Sequence, residues 1–554
     1  STGTLETIRS FSIQSPINDI FGGKLEEISV SGDASFSLDL TVPLKNSKEF
    51  DFTTVIRSNN GTLAINRFKP PVTDLIGEVT ISRGDISSQA LGATFLGQPI
   101  SIALRSYEEE QFSVVASAAG YVTAEAVVND LGVPLDGLFR GGADYEAQIL
   151  FPRGGQQEPS PLTIRINSDL AGMALDLPAP AGKQLDETLQ IQGDIRFMPG
   201  GAGIESAGFA ENQTAWQLAF RRDEDEGTWD FDRGVVTLGR DVMQPAETRG
   251  LHIRGTTDTV RFEDWLNLSR SGESETGAAD RIRSIDLTIA NLYAIGQHLE
   301  GHKVRVDRSA RDWLVQIDGD DISGSLFVPY GFDSERAMVL EMDRLHLPGD
   351  ETAYDEPSTA DPRKLPPITV TASEFVLGER NLGSLEAQID RVASGLEARS
   401  IVTRDDTFEV SASGRWVVDE SDSMGSRTYV AGTLNSRDVR QTMSRLGFDP
   451  GISSDELGAQ FDVSWSGGPR ADFLDVLDGN VQVRFGAGQL EEVEPGAGRV
   501  FGLMSIVALP RRLSLDFSDV FNKGFGFDKI AGTFRIDDGE TYTCDLSLEG
   551  PAAD

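Results

Sequence analysis

Two histidines four residues apart are the residues whose spacing first suggests chemistry. On a helix, His298 and His302 would share one face and could bind a metal ion. The residues between them are Leu299-Glu300-Gly301, without the glutamate that directly follows the first histidine of a zinc protease. Glycine also weakens a helix. The pattern therefore favours polar surface residues over a metal site, and we predict neither a metal nor another cofactor.

Other motifs that could carry chemistry are weak. The acidic run 223–226 could attract Ca²⁺, but its spacing differs from an EF-hand loop and predicts a solvated turn. Gly200, Gly201 and Gly203 lack the following lysine of a phosphate-binding loop and predict a hairpin tip. The sequence has no G-x-S-x-G motif. We therefore predict no catalytic residue and a protein that is not an enzyme.

The charge balance excludes one class of partner. The chain has 49 basic and 88 acidic residues, so its net charge is −39. Such a field repels nucleic acid and favours a soluble monomer. The single cysteine, Cys544, cannot form a disulfide within the chain. The sequence begins at Ser1 and ends at Asp554 within an apparent strand, which predicts an excised fragment.

Apolar and polar residues alternate along most of the chain, as in strands with one dry face. Turn signals such as Asn59-Asn60-Gly61 and Asp538-Gly539 separate these runs. The pattern predicts a mostly β fold with a long, mostly antiparallel sheet. The sequences of β-sandwiches and β-barrels show the same alternation. The predicted inward residues are Leu162, Ile164, Ile166, Leu189, Ile191, Ile195, Phe197, Trp216, Leu218, Phe220, Phe408, Val410, Trp416, Val481, Val483, Leu513, Leu515, Phe517, Phe534 and Ile536.

Helical segments are few. We predict an N-terminal helical segment over 1–21, a helix over 436–446 with Ser436 as its N-cap, and an apolar helix over 497–509. Polar loops at 269–280 and 350–367 are predicted to be mobile. The predicted functional residues of the third helix are Val500, Phe501, Leu503, Met504, Ile506 and Val507.

The sequence near the C-terminus resembles that of a known protein family. Gly-Arg-Val-Phe-Gly-Leu at 498–503, Leu-Pro-Arg-Arg-Leu-Ser-Leu-Asp-Phe-Ser-Asp at 509–519 and Gly-Phe-Gly-Phe-Asp at 524–528 stand in order. Region 495–554 thereby resembles the C-terminal region of AsmA-like proteins of the YhdP type from Gram-negative bacteria. Collinear segments, such as Ser-Ala-Ser-Gly-Arg-Trp at 411–416, extend the resemblance over the whole chain.

The resemblance implies a twisted sheet curved into an elongated hydrophobic groove, continuous over 1–554. It implies a periplasmic protein that is anchored at the inner membrane by an N-terminal helix, absent from this sequence. Its partners would be phospholipids and the inner and outer membranes. The implied function is conduction of phospholipid acyl chains from the inner to the outer membrane, which supports outer-membrane lipid homeostasis.

Three interpretations of the alternating pattern remain open. The dry face could be a lipid groove, the core of a non-catalytic scaffold or assembly factor, or part of a lipid-modifying enzyme. The helix at 497–509 could plug or line the groove, or cap a sheet edge. A uniform apolar floor suits lipid movement, because it shields acyl chains without trapping them.

Overall fold

The structure is a computed structural model, in which strands dominate. Among the described residues, 31 strands belong to one hydrogen-bonded sheet and three to a small second sheet. The predicted mostly β fold class is confirmed. The structure describes residues 2–15, 18, 23–42, 45, 51–65, 68–82, 85–107, 112–131, 139–153, 161–198, 203–222, 229–262, 264–265, 281–294, 297–330, 336–347, 361–448, 450–469, 473–490 and 525–550.

The chain divides into two units. Unit 1 comprises Ser1–Thr257 and Asp264–Ile285, and β16 and β17 contribute residues to both units. Among its described residues, the two α-helices are α1 (Leu5–Ile13) and α2 (Ala124–Asn129). The strands up to β16 are β1 (Thr2–Thr4), β2 (Ile28–Thr41), β3 (Asp51–Ile65), β4 (Phe68–Ser82), β5 (Asp85–Ser88), β6 (Leu91–Phe95), β7 (Gln98–Ser106), β8 (Phe112–Thr123), β9 (Phe139–Pro152), β10 (Thr163–Ser168), β11 (Met173–Leu175), β12 (Ile191–Phe197), β13 (Gly203–Ala210), β14 (Ala215–Arg222), β15 (Trp229–Leu238) and β16 (Gly250–Arg261).

Unit 2 comprises Asp258–Glu263 and Asp286–Asp554. Its one helix among the described residues is α3 (Val439–Arg445). The strands from β17 onwards are β17 (Ile282–Ala294), β18 (Gln297–Arg308), β19 (Asp312–Asp318), β20 (Ile322–Pro329), β21 (Met338–Leu347), β22 (Ile368–Leu377), β23 (Arg380–Val392), β24 (Gly395–Arg404), β25 (Phe408–Val418), β26 (Ser426–Ser436), β27 (Ile452–Ser454), β28 (Leu457–Ser466), β29 (Asp478–Phe485), β30 (Gly488–Leu490), β31 (Phe525–Phe527), β32 (Lys529–Asp537), β33 (Glu540–Thr543) and β34 (Ser547–Glu549).

The observed helices differ in detail from the sequence-based predictions. Within the predicted segment 1–21, α1 follows the short strand β1, and the Thr4 hydroxyl accepts a hydrogen bond from the Thr7 backbone N–H. The helix predicted over 436–446 begins later, because Ser436 is the last residue of β26. Asp438 is its N-cap and accepts from the Gln441 N–H at 3.0 Å.

The loops and the third predicted helix lie largely outside the described residues. This holds for 269–280, for 350–360 and for the whole of 497–509. The remaining part of the second loop, 361–367, contains a 3₁₀ turn at Pro362–Lys364.

Most strand pairings with a described register are antiparallel. β15 pairs with β16 in parallel, and β21 pairs with β22 in parallel. A parallel pair requires a connection that returns over one face of the sheet. The alternating pattern does not reveal such a return, so the prediction of a mostly antiparallel sheet did not locate these parallel pairs.

The hydrophobic cores lie against single faces of these sheets. In unit 1 one cluster joins Ile28, Ile81, Ile86, Val114 and Phe151, which come from five different strands. Unit 2 contains a large cluster centred on β17 to β23 and two smaller ones, each beside one end of β28 and β29. The apolar side chains on the same sheet faces as these clusters form the candidate functional site.

Candidate functional site

In unit 1 the strand register brings the predicted inward residues onto one face. Ile164 of β10 lies opposite Ile195 of β12. Ser206 of β13 lies opposite both Ile195 and, on its other side, Leu218 of β14. Opposed residues in a sheet share a face. We call the surface formed by these residues the apolar face of unit 1. It also includes Ile166, Ile191, Phe197, Trp216 and Phe220.

The opposite face of the same strands is polar. Arg165 lies opposite Asp194, and their side chains form an ion pair at 2.9 Å. The row continues through Ala207 to Gln217. The two faces of unit 1 therefore differ in chemistry, as the alternating pattern predicts.

Glycines make room for the largest side chain on the apolar face of unit 1. Gly193 and Gly208 lie opposite each other, and Gly208 lies opposite Trp216. A Cβ atom at Gly208 would come within 2.4 Å of the Trp216 ring, and one at Gly193 within 2.9 Å. The indole therefore lies over the backbones of β12 and β13, and a bulkier residue at either glycine would displace it.

The connection between β15 and β16 covers the polar face. Its Thr248 hydroxyl lies 3.1 Å from Nε2 of His252. His252 lies opposite Val235, and Val235 lies opposite Gln217 of the polar face. Arg249 of the same connection forms an ion pair with the buried Asp232. Thr248 and Arg249 of this crossover therefore lie on the polar side of the sheet.

Unit 2 has an apolar face built in the same way. One row crosses five strands through Val410, Leu434, Ala459, Val483 and Gly532. A neighbouring row joins Phe461, Val481 and Phe534. These two rows, with Phe408, Trp416 and Ile536, define the apolar face of unit 2 at these strands.

The reverse of these strands carries a polar row. Ser411, Thr433, Gln460, Gln482 and Thr533 lie opposite one another across β25, β26, β28, β29 and β32. Ser411, Thr433, Gln460 and Gln482 are exposed to solvent. Each apolar side chain of the central rows thus has a polar sequence neighbour on the other side.

Both ends of the apolar face of unit 2 are covered. At one end, Val439 of α3 packs with Leu457, Phe485 and Ile530. At the other end, the 3₁₀ turn Phe473–Val476 packs against Val463, Trp465 and Ile536. Between these covers Val410, Leu434, Phe461, Val481 and Val483 are only half-buried. The accessible part of this apolar face is therefore a strip that runs across the strands.

Most of the predicted inward residues within the described chain lie on the two apolar faces. The exceptions are Leu162 and Leu189, which precede β10 and β12 and are not part of a strand. Leu162 is buried in the core cluster of unit 1, and Leu189 lies beside Lys183 in a shallow cavity. Leu513, Leu515 and Phe517 lie outside the described residues, as do the helix residues Val500, Phe501, Leu503, Met504, Ile506 and Val507.

Some positions on the apolar face of unit 2 were missed by the sequence reasoning. Leu434 lies between Val410 and Ala459 in one row, and Phe461 lies opposite Val481 in the other. The signal was present, because Val430-Ala431-Gly432-Thr433-Leu434 alternates in the same way as the neighbouring strands. The small inward residue Gly432 weakened the pattern.

The two histidines that suggested a metal site lie on opposite faces of β18. Gly301 between them has φ +69°, a left-handed conformation that interrupts the alternation. His298 stacks on Tyr293 and bonds Asn291 at 2.9 Å, whereas His302 is fully buried. Among the described residues no group of His, Cys, Asp and Glu side chains is arranged to hold a metal ion.

His302 gives the stability of unit 2 a predicted pH dependence. Its Nε2 accepts a hydrogen bond from the Ile322 N–H at 3.3 Å, which requires the neutral ring. Burial lowers the pKa of His302 below its ordinary value, although Asp321, the Glu300 backbone, Asp320 and Asp318 act in the opposite direction. The unfolded chain therefore binds a proton more readily, and stability falls as pH drops below about 6.5.

Replacing His302 by Gln should flatten this dependence. We expect wild type to lose more local stability than His302→Gln between pH 7.5 and pH 5.5, measured by hydrogen exchange of β18 and β20. His298→Gln on the other face is the control and should retain the wild-type pH dependence. An equal loss in wild type and His302→Gln would contradict the assignment.

No helix in the described part of the chain is both long and apolar enough to span a membrane. A solved structure with significant similarity to the chain was not found.

Comparison with known proteins identifies the family. The intermembrane phospholipid transporter YhdP of Escherichia coli strain K12 is 22% identical over 573 residues, a match that covers 98% of this chain. The chain spans 43% of the length of that relative. The relative is named for transport, which agrees with the prediction that the chain is not an enzyme. The family model described as YhdP protein matches residues 1–554, and the chain therefore belongs to the YhdP family.

Proposed function

We propose that the apolar faces of both units hold phospholipid acyl chains during transport between two membranes. The observation that carries this proposal is the register, which aligns half-buried apolar side chains of neighbouring strands on one face, with polar side chains on the other. A surface of this kind can contact an acyl chain along its length. The proposed location is the periplasm, and the proposed direction is from the inner to the outer membrane.

The energetics favour an extended surface over a local pocket. Two sixteen-carbon tails represent on the order of 25 kcal/mol of apolar exposure, at about 0.8 kcal/mol per CH₂ group. Shielding them requires many apolar contacts, which rows such as Val410, Leu434 and Val483 can supply. The headgroup can remain in water at the ends of the strands.

The exposure of the side chains also supports an accessible face. Leu218, Val481 and Val483 are neither buried nor fully exposed, although they lie at the centres of their strands. In the closed core of a sandwich such central residues would be buried on both sides. The crossover between β15 and β16 adds to this, because it lies on the polar face.

The name of the Escherichia coli relative supports the choice of cargo. That protein is described as an intermembrane phospholipid transporter. We extend this activity to the present chain as a proposal, with phospholipids and the two membranes as partners and with a monomer as the working form.

The proposal predicts where bound lipid can be captured. A photoactivatable side chain at Leu218 or Val483 should crosslink phospholipid in cells, because these positions lie on the apolar faces. The same group at Arg196 or Gln482, on the polar faces, should give at least a tenfold lower yield. Mass spectrometry of the adducts provides the measurement.

The crosslinking pattern also separates the alternatives. Equal yields on both faces would indicate non-specific labelling. Folded protein with adducts at neither apolar position would favour a scaffold whose faces are closed.

A further inference from the structure

We propose that the apolar face of unit 2 holds two acyl chains side by side, one on each of two rows of positions that cross the strands. This inference rests on the proposed function, and it specifies the number of acyl chains in the cargo. A lipid with two chains would cover both rows, whereas a lipid with four chains would gain no further contact from its extra chains.

Two rows of half-buried positions cross the same four strands, β25, β26, β28 and β29. The first row consists of Val410, Leu434, Ala459 and Val483. The second row consists of Ala412, Gly432, Phe461 and Val481. All of these positions are half-buried. Each row therefore offers an acyl chain a path across the strands that contains no polar side chain.

Buried positions bound the two rows. The row beyond the first one is buried on all four strands, at Phe408, Ser436, Leu457 and Phe485. Val439 of α3 packs against this side. Beyond the second row, Val463 of β28 is buried in the cluster that includes the 3₁₀ turn Phe473–Val476. Among the described residues of these strands, two rows are therefore half-buried on every strand.

The spacing of the rows fits one acyl chain on each. Residues on the same face of a strand are two positions apart, which is about 6.7 Å at roughly 3.3–3.4 Å per residue. Apolar groups in contact have their heavy atoms about 4.0–4.5 Å apart, so one saturated chain occupies a width of about 4–5 Å. A row thus has room for one chain and not for two.

The match between rows and chains has a consequence for affinity. Burial of apolar surface drives the binding of acyl chains. A lipid with one chain leaves one row in contact with water, whereas a lipid with two chains shields both rows. Two of the four chains of a cardiolipin would find no row at these strands. We therefore expect affinity to rise from one chain to two and to level off from two to four.

The test measures lipid capture at a single position of the 554-residue chain. A photoactivatable side chain at Leu434, in the first row, captures bound lipid, and mass spectrometry gives the lipid concentration for half-maximal capture. The lipids are octanoyl lysophosphatidylglycerol, dioctanoyl phosphatidylglycerol and tetraoctanoyl cardiolipin. The two-chain lipid should need a concentration about tenfold or more below that of the one-chain lipid, because it covers twice the apolar surface. The four-chain lipid should stay within about twofold of the two-chain lipid.

Replacing Val481 by Asp tests the two rows separately. A charge among acyl chains is costly, so the second row is closed while the first row stays available, and the two-chain lipid should need a concentration about tenfold or more higher. The value for the one-chain lipid at Leu434 should change by less than about twofold, because this lipid needs only the first row. Gln482→Asp adds the same charge on the polar face and should change neither value.

The outcomes distinguish this inference from the proposed function. Equal weakening of the one-chain and two-chain lipids by Val481→Asp would overturn the assignment of one chain to each row. A four-chain lipid that is captured tenfold more tightly than the two-chain lipid would also overturn it, because the strip would then hold more than two chains. Wild type that captures no lipid at Leu434 or at Leu218 of unit 1 would contradict the proposed function itself.

Discussion

Replacing Val481 by Asp should reduce phospholipid transfer on the order of 100-fold. Val481 is half-buried at the centre of the apolar face of unit 2, between Phe461 and Phe534. A carboxylate there would lie among acyl chains, where a charge costs about 2.5–3.5 kcal/mol. Each 1.36 kcal/mol in a barrier changes a rate tenfold. Transfer of a fluorescent phospholipid between vesicles measures the effect.

The adjacent residue supplies a matched control. Gln482 is exposed on the polar face, so Gln482→Asp adds the same carboxylate one position away. This variant should transfer lipid at the wild-type rate. Circular dichroism should show a folded protein for both variants, because Val481 is only half-buried. Normal transfer by folded Val481→Asp would show that continuity of this apolar face is not required for transport.

The contrast between Val481 and Gln482 was predictable from sequence. Strand side chains alternate with a period of two, so the run Val481-Gln482-Val483 already assigned each residue to a face. Leu162 and Leu189 precede β10 and β12, although the alternation of apolar residues continues through both positions. Alternation fixes which side a residue faces within a strand, but not where hydrogen bonding to the next strand stops.

Other features depended on backbone conformations that composition does not reveal. Gly301 in the left-handed region puts His298 and His302 on opposite faces, although their spacing in a regular strand would put them on one. The return from β15 to β16 over the polar face depends on contacts such as Thr248 with His252. Neither feature follows from the alternation of apolar and polar residues.

Arg308 illustrates a third limit of prediction from sequence. Charged and apolar residues alternate in the segment Lys303-Val304-Arg305-Val306-Asp307-Arg308. Its last residue could have been identified from this pattern as an inward arginine. Its contact with Tyr330 joins residues that are distant in sequence and forms only after β18, β19 and β20 pair. Alternation can therefore indicate the face of Arg308, whereas its aromatic neighbours follow only from the fold.

Replacing Arg427 by Met should destabilise the C-terminal strands of unit 2 by about 3 kcal/mol. Nη1 of Arg427 lies 3.2 Å from the Asp422 carboxylate, and Nη2 lies 2.5 Å from that of Asp478. Nη2 also donates to the Ser464 hydroxyl at 3.1 Å. The side chain therefore joins β26 to β28 and β29 on their polar face. Its loss leaves two carboxylates close together, and the Asp422 side chain is only 4% exposed.

Hydrogen exchange of β26, β28 and β29 measures this local stability better than global unfolding, because large proteins seldom unfold in two states. Arg399→Met is the matched control, since Arg399 and Asp390 are largely exposed and such pairs contribute about 0–1 kcal/mol. Adding Asp422→Asn to Arg427→Met should restore part of the protection, because a neutral amide replaces the stranded buried charge. Loss of protection that this second change leaves untouched would show that Arg427 acts through packing of its stem and not through its charge.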